Sequence, residues 1–575
     1  MKRYLIILIA AIFALSGCNL LDNVKDLSHY TPDNIWSDET LANAYLNDLY
    51  ANSFGGWPRD GGNADECKGI LGEAAVTANN GSFKYWPYTK IRSINVMLQN
   101  LESSPLPANV VNPMRGQALF MRAFEYFKAV RMHGGVPIIK TPQDATEDLE
   151  VTRSSSLDCF NFIISDLDEA ISLLPATYTG SDYGRISKSA ALAFKGRVLL
   201  YKASPQFNPG KPYDNPYWSE ALAANKEAYD FLKSNGFGLV DNYTDVFETK
   251  QHKEAVLPVI YLNPSKLDGR GEQGVRPLSV TKNATGYDEP IWQFVESFPM
   301  KDGHKIGESP KYTYNEQTFW LNRDPRFEQV IAWNGSVYEV GGIEGRRQYT
   351  AGGIASNLDA AAMSKAEAEY TRTGVYCRKG IKEELSMTQY NMNDFDWLEI
   401  RFAEVMFNYA EAANETGNTA VGYDVLKAIR NRAGIEPGDD GMYGLKSGMT
   451  KEEMRTALLD EKRVEFCFEG FRFWDLRRHR LLGQLNGMHK YGIWATLKND
   501  VSWDDAVARA ATYTLLPEEF DYKVVDLWER EQSGEAAMYM PDSYYFFPIS
   551  LSSIEKNPKL EQNKDWGGTF NPAIN

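Results

Sequence analysis

The chain has 575 residues, of which 43% are hydrophobic and 24% charged, a composition typical of a globular protein with a large core. Its net charge of −16 argues against nucleic acid as a partner, because phosphate binding requires a dense positive surface. The six histidines form no HExxH motif and the cysteines no CxxC pair, so neither a zinc site nor another cofactor is predicted. Cysteines 67, 159, 377 and 467 are widely spaced, which favours separate buried thiols over disulfides.

The N-terminus has the pattern of an export signal. A basic start precedes an apolar run over residues 4–15, which is too short to span a bilayer but suits a signal peptide over residues 1–17. The sequence Leu-Ser-Gly-Cys ending at Cys18 resembles a bacterial lipobox, in which the cysteine is acylated and becomes the mature first residue. An ordinary signal peptide followed by a chance cysteine is the alternative. We expect Cys18 to carry the lipid and residues 18–36 to form a tether.

Amphipathic helices follow through the first half of the mature chain. Apolar residues recur at helical spacing, and capping or stop residues such as Ser155 and Gly134 mark the helix ends. The pattern predicts helices over residues 40–52, 86–103, 115–133, 155–174, 187–204 and 218–234.

Two of these helices share a motif. Ala118, Arg122 and Tyr126 recur at the same spacing as Ala193, Arg197 and Tyr201. The two copies lie about two tetratricopeptide periods of roughly 34 residues apart. Helix pairs of that type bury their apolar faces only by stacking, so the repeat predicts an α-solenoid scaffold.

Two segments are rich in loops. One is an early loop (residues 53–80) with glycine and asparagine at the density of turns. The other is a long excursion (residues 237–397), where helical periodicity fades and short β-like runs such as 256–262 occur. Loops laid across a rigid scaffold commonly carry binding groups, so both segments are candidates for a ligand face.

Helical periodicity returns after the excursion. Residues 398–415 and 421–433 predict a helical hairpin. Thr450 and Glu453 then form a capping box that begins a helix over 451–468.

A signature segment (residues 460–478, DEKRVEFCFEGFRFWDLRR) alternates acidic and basic residues with aromatic ones. It is too apolar to be merely solvated, so we expect its guanidiniums and carboxylates to pair partly out of water. Near-equal numbers of both charges on adjacent turns favour this structural ion network. Two functional interpretations stay open, namely catalytic carboxylates at Glu461, Glu465 and Glu469, or an anion site at Arg472, Arg477 and Arg478.

The signature segment resembles the C-terminal motif of the SusD/RagB family, the surface glycan-binding lipoproteins of Bacteroidetes. It matches the family pattern ERR.E..FEG.R..DLRR except at Lys462, and residues 547–563 resemble FPIP..E...NP.L.QN, with Ser550 where proline is usual and the glutamate at 555. GGVP at 134–137 and AIRNRAG at 428–434 are similar to further family motifs, so the resemblance covers essentially the whole chain.

The resemblance implies a mainly α fold, a tetratricopeptide-like superhelix of helical hairpins with a large loop-rich excursion that carries short β elements. It implies a single domain over residues 37–575, with a helical scaffold at about 37–236 and 398–575 and a ligand-face insertion at about 237–397.

The resemblance also implies a function. SusD-like proteins are anchored by lipid at the outer membrane, capture an oligosaccharide or polysaccharide at the cell surface, and deliver it without catalysis to a SusC-like TonB-dependent transporter. One alternative is a helical-repeat scaffold that binds a protein partner. Another is a glycoside hydrolase, but no carboxylate pair lies in a context that would separate the two pKa values, and no nucleophile motif is present.

A glycan site requires exposed aromatic planes beside groups that hydrogen-bond to hydroxyls. In relatives the ligand face is built from the early loop and the excursion. We therefore predict ligand contacts, with the three tryptophans as stacking planes, from Trp57, Asp65, Trp86, Trp320, Arg372 and Tyr390. The alternative for each aromatic residue is ordinary packing, and Trp397 and Trp474 are predicted to belong to the core.

Overall fold

The computed structural model describes residues 32–69, 76–79, 83–281, 286–354, 371–528 and 537–574. Cys18 and the predicted signal peptide lie outside these residues, so lipidation stays a prediction. Within the described ranges, no helix combines the length and the apolar character that crossing a membrane requires.

Helices carry most of the scaffold. Those before the excursion are α1 (Pro32–Ser37), α2 (Glu39–Ser53), α3 (Tyr88–Glu102), α4 (Ala108–His133), α5 (Ser156–Leu173), α6 (Lys188–Ala203) and α7 (Tyr217–Ser234). Short helices in the excursion are α8 (Asp245–Glu248), α9 (Trp292–Val295) and α10 (Arg326–Val330). Those after it are α11 (Phe402–Glu415), α12 (Thr419–Ala433), α13 (Lys451–Glu465), α14 (Arg472–Arg478), α15 (Trp503–Ala511) and α16 (Leu551–Lys556).

Several helix ends follow the sequence signals, although α4 begins at Ala108, before the start predicted at residue 115. Ser155 and Ser187 accept hydrogen bonds from the first turns of α5 and α6, and Thr450 and Glu453 form the predicted capping box of α13. Gly134 ends α4 with a left-handed φ of 79°, a conformation that disfavours other residues.

The helices stack in one series that continues across the excursion. α3 packs on α4, α4 on α5, α5 on α6 and α6 on α7, and α7 then packs on α11. The repeated arginines reinforce this stack, because Arg122 of α4 pairs with Asp166 of α5, and Arg197 of α6 pairs with Glu404 of α11. The predicted mainly α fold is confirmed.

The strands are short and pair antiparallel. They are β1 (Ala255–Val259), β2 (Ile331–Trp333), β3 (Ser336–Val337), β4 (Arg347–Gln348), β5 (Val375–Cys377), β6 (Trp397–Arg401), β7 (Tyr491–Leu497) and β8 (Phe520–Asp526). The pairs are β1 with β6, β2 with β5, β3 with β4, and β7 with β8.

Three strands, β6, β7 and β8, differ from the sequence prediction. The helix predicted from residue 398 begins only at Phe402, because residues 397–401 pair with β1 in a register that sets Val259 opposite Trp397. The β7–β8 pair was not predicted, since the helix α15 separates its strands in sequence and no short turn marks a hairpin.

Apolar side chains form a scaffold core between the helices and a second core inside the excursion and the β7–β8 pair. Cys159 belongs to the scaffold core, whereas Cys67, Cys377 and Cys467 lie in the second core. All four are free buried thiols, as predicted.

The signature segment forms the predicted ion network. The fully buried Glu465 accepts hydrogen bonds from Arg326 (3.1 Å) and Arg401 (2.8 Å), and also from Arg432. Burial alone would raise the pKa of Glu465, but these arginines outweigh it and hold the pKa below its usual range. Arg477 departs from the expectation of acid–base pairing, because it donates to the backbone carbonyls of residues 131, 132 and 544.

We expect Glu465→Gln to lower the free energy of unfolding by about 3–5 kcal/mol, because it removes the charge that three buried guanidiniums share. Asp460→Asn, on the same helix, is the matched control. Its partly exposed pair with Lys305 (2.8 Å) contributes less than about 1 kcal/mol. Denaturant unfolding of both variants measures the difference, and equal losses would contradict a stabilising role for the buried network.

Candidate binding surface where the early loop meets the excursion

Backbone hydrogen bonds fasten the early loop to the excursion. The Trp57 N–H donates to the carbonyl of Gly269 (3.1 Å), and the Lys68 N–H donates to that of Glu289 (2.8 Å). The Ile291 N–H donates in return to the carbonyl of Glu66 (3.1 Å). The two loop-rich segments therefore form one continuous surface.

Trp57 was expected to be an exposed stacking plane, and that expectation is wrong. Its side chain is only 5% exposed, and its ring packs 4.3 Å from that of Phe247 and 5.1 Å from that of Trp397. Gly380 covers it so closely that a Cβ there would lie 2.6 Å from the indole. Trp57 is therefore a core residue that lies beneath this surface.

Asp65 was expected to bind ligand hydroxyls, but it is buried and paired. Its carboxylate accepts from Arg472 Nε (2.8 Å) and Nη2 (2.9 Å) and lies 3.1 Å from Arg463. Burial would raise the pKa of Asp65, yet the two guanidiniums hold it well below the usual range. Asp65 therefore anchors the early loop to the signature segment.

Trp320 was likewise expected to be exposed and is not. The ring is 7% exposed and lies in the second core, 5.4 Å from the ring of Tyr522 and 6.4 Å from that of Trp333. A loop-rich segment of this size buries its own apolar side chains, and Trp320 is among them.

The other predicted residues are half-buried and lie in different parts of the fold. Trp86 packs against Tyr88 at the start of α3, with ring centroids 5.0 Å apart. Arg372 precedes Thr373, whose carbonyl accepts from Ile493 of β7. Tyr390 begins a short turn, Tyr390–Met392, that packs against the turn Glu272–Gly274. Ligand contact by these residues stays a prediction.

Tyr287, an exposed ring where the early loop meets the excursion, was not identified from the sequence. Tyr287 is 47% exposed, and the guanidinium of the exposed Arg59 lies 5.0 Å from its ring centroid. Glycines make room for this pair, since a Cβ at Gly271 would lie 1.8 Å from Arg59 Nη2 and one at Gly274 would lie 2.1 Å from Tyr287 Cδ2. A single tyrosine in a loop carries no periodic signal that could have identified it.

We call the face formed by Arg59, Asp268, Tyr287 and Tyr390 the junction surface. The half-buried Asp268 adds a carboxylate, and burial raises its pKa. The Tyr390 turn packs on the residues next to Gly271. The surface thus combines flat planes with hydrogen-bonding groups of both signs, which suits a neutral, hydroxyl-rich ligand.

A cleft of about 660 Å³ lies beside the junction surface, across the segment that contains Gly380. Its floor includes the buried rings of Phe247 and Phe395, and its walls carry Arg378, which is bonded to Glu383 at 2.5 Å. Burial, with a smaller contribution from Glu383, raises the pKa of Glu248 in this cleft to about 7. Over the described part of the chain, no group of three or more His, Cys, Asp or Glu residues is arranged to hold a metal ion.

Two family models match the chain. The model described as the SusD family matches residues 253–566. A second model, described as "Starch-binding associating with outer membrane", matches residues 19–200.

Individual relatives show the same similarity. SusD-like protein P2 of Formosa agariphila is 23% identical over 526 residues, covering 85% of this chain and 92% of the relative. A SusD-like protein of Bacteroides ovatus is 31% identical over 365 residues, covering 63% of this chain and 58% of the relative.

Solved structures agree with the fold. A SusD-like protein of Bacteroides fragilis aligns with a TM-score of 0.71 at 24% identity, covering 92% of this chain and 98% of that structure. A laminarin-binding SusD-like protein aligns with a TM-score of 0.58 at 19% identity, covering 92% and 99%. At such identities the likeness shows the fold alone.

Glu66 attaches the early loop to the signature segment through a titratable carboxyl. Its buried carboxyl accepts from the Phe468 N–H in the signature segment (3.2 Å). Burial and the neighbouring Asp60 raise the pKa of Glu66 to about 8, so the folded protein holds this proton at neutral pH.

We expect the melting temperature of the wild type to fall relative to Glu66→Gln between about pH 5 and pH 8. Glu66 has a pKa of 4.5 in the unfolded chain and of about 8 in the folded protein. The stabilisation that its bound proton provides is therefore complete below pH 4.5 and is lost as the pH rises to 8. Glutamine keeps an oxygen that can accept from Phe468. Thermal unfolding at several pH values tests this, and parallel curves for the two proteins would count against the raised pKa.

Proposed function

The chain belongs to the SusD family, and on that premise we propose that it binds an oligosaccharide or polysaccharide at its junction surface without cleaving it. One observation carries the choice of surface, namely the exposed ring of Tyr287 beneath the Arg59 guanidinium where the two loop-rich segments meet. Aromatic and guanidinium planes offer flat faces for the CH groups of a sugar, and Arg59 and Asp268 supply hydrogen bonds to hydroxyls.

The descriptions of similar proteins support carbohydrate as the ligand class. One matching family model is described as starch-binding, and one structural neighbour is a laminarin-binding protein. Family membership also supports the later steps, in which a lipid on Cys18 holds the chain at the outer membrane and the glycan passes to a SusC-like TonB-dependent transporter. The lipobox and the description "associating with outer membrane" support this location.

A glycoside hydrolase is the second candidate, because Glu248 has the raised pKa of a general acid. Its neighbour Glu383 is bonded to Arg378 through both carboxylate oxygens. A carboxylate held in this way is a poor nucleophile or base, which favours binding without cleavage.

We expect Tyr287→Ala to weaken glycan binding about tenfold while the melting temperature stays unchanged, because an exposed ring contributes little to the core. Titration calorimetry against a glycan panel measures the affinity, and chromatography of the same samples detects any cleavage product. Trp503→Ala is the matched control, since that ring is 48% exposed and lies on α15. Wild-type affinity in Tyr287→Ala would place the site elsewhere, and cleavage products would favour the hydrolase.

We expect a palmitate analogue fed to cells to label the wild type and not Cys18→Ala, because only an acylated thiol retains the label. Cell fractionation should then find the wild type in the outer membrane and the variant outside the membrane fraction. Equal labelling of both proteins would contradict lipidation at Cys18.

A further inference from the structure

A small cavity of about 150 Å³ lies beneath the early loop, where the loop crosses the scaffold helices. Pro58 and Asp60 line it, whereas Arg59 between them reaches the ring of Tyr287. The volume equals that of about five water molecules, which is room for one ring and not for a chain. We call this cavity the inner pocket, and its wall includes Asp60, Arg131, Tyr201, Trp397, Asn408 and Trp474.

The walls of the inner pocket are aromatic and its mouth is charged. Tyr201, Trp397 and Trp474 are buried, whereas Asp60, Arg131 and Glu399 are half-buried and therefore mark the opening. The Trp474 ring is fixed in place, because its indole N–H donates to Asp60 (3.1 Å) and the Arg131 guanidinium lies 3.9 Å from its centroid.

The internal repeat identifies an unusual hydroxyl in this pocket. In the first copy, the Tyr126 hydroxyl accepts from the Ile139 N–H (2.7 Å) and donates to the Ile139 carbonyl (3.3 Å). In the second copy, Tyr201 is 6% exposed, and its hydroxyl has no hydrogen-bond partner among the described residues. The hydroxyl is not fully enclosed by the protein, so it opens onto the pocket and can hydrogen-bond to a molecule bound there.

The charges that remain available in the pocket balance. The other charged groups of the lining are already paired: Arg197 with Glu404 and Glu399, Lys462 and Arg478 with Asp475, and Glu469 with Arg401. The Arg131 guanidinium forms no hydrogen bond or ion pair with any part of the chain that the structure describes, and its Nε is buried. The carboxyl of Asp60, which interacts electrostatically with Arg131, is the acidic group at the same opening. One cation, one anion and one hydroxyl between aromatic faces suit a neutral molecule that carries several hydroxyls.

We propose that the inner pocket binds a single neutral sugar ring and is a second carbohydrate site, separate from the junction surface. Tyr201 and Arg131 donate hydrogen bonds to the sugar, Asp60 accepts them, and Trp474 and Trp397 bound the ring. The choice of a sugar over another small polyol rests on the proposed function, whereas the pocket and its unpaired hydroxyl do not.

Saturation-transfer NMR with the full-length mature protein tests this directly. The probes are glucose, galactose, mannose and xylose as neutral sugars, with glucosamine and glucuronate as charged comparisons. We expect at least one neutral sugar to bind and Tyr201→Phe to weaken that binding about three- to tenfold, the effect of one hydrogen bond. Tyr539→Phe, at an exposed tyrosine outside the pocket lining, should bind like the wild type.

Stability provides a second measurement. Tyr201→Phe removes a hydroxyl that forms no hydrogen bond with the described residues. The melting temperature of the variant should therefore equal or exceed that of the wild type. Absence of saturation transfer from every neutral sugar, or equal affinity in Tyr201→Phe and the wild type, would overturn the proposal and leave a pocket filled by water. The two proposals are tested independently. The junction surface is tested with polysaccharide and Tyr287→Ala, and the inner pocket is tested with single sugars and Tyr201→Phe.

Discussion

The buried carboxylate of Glu465 and the three arginines around it hold the excursion against the scaffold. Arg401 comes from β6, Arg432 from α12 and Arg326 from the excursion helix α10, so one side chain on α13 joins three separate parts of the chain. Apolar contacts alone are not directional, whereas charge-assisted hydrogen bonds between planar groups fix relative orientation. The network therefore fixes the orientation of the loop-rich excursion on the helical stack, which apolar burial alone does not define.

The signature segment fixes the early loop in the same way. Asp65 is bonded to Arg472, Glu66 accepts from the backbone of Phe468, and Asp60 accepts from Trp474. The segment therefore holds the excursion through α13 and the early loop through the residues that follow α13. The junction surface exists only where those two loops meet, so a motif without exposed ligand groups can still determine the geometry of the proposed binding surface. This accounts for a charged, aromatic segment whose side chains mainly contact other parts of the same chain.

Local signals in the sequence predicted the local structure well. Caps at Ser155 and Thr450 placed two helix starts, and balanced charge predicted the ion network. Exposure of single rings was not predictable, because it depends on which other segments fold over them. Trp57 and Trp320 lie in loop-rich sequence and are nevertheless buried, whereas Tyr287, which no sequence pattern distinguishes, is exposed. The strand β6 was mistaken for helix because its partner β1 lies far away in the sequence, and periodicity carries no information about such pairing.

The internal repeat shows how one motif can acquire two roles. In both copies the arginine ties its helix to another helix, Arg122 to Asp166 and Arg197 to Glu404, so that position serves the scaffold. The tyrosine four residues later differs because its surroundings differ. After α4 the chain folds back, and the backbone of Ile139 forms hydrogen bonds with the Tyr126 hydroxyl. Tyr201 of α6 instead lines the inner pocket beneath the early loop. The proposed specialisation thus arises where an inserted loop crosses a stack of similar helices, since the loop borders a pocket onto which the Tyr201 hydroxyl opens.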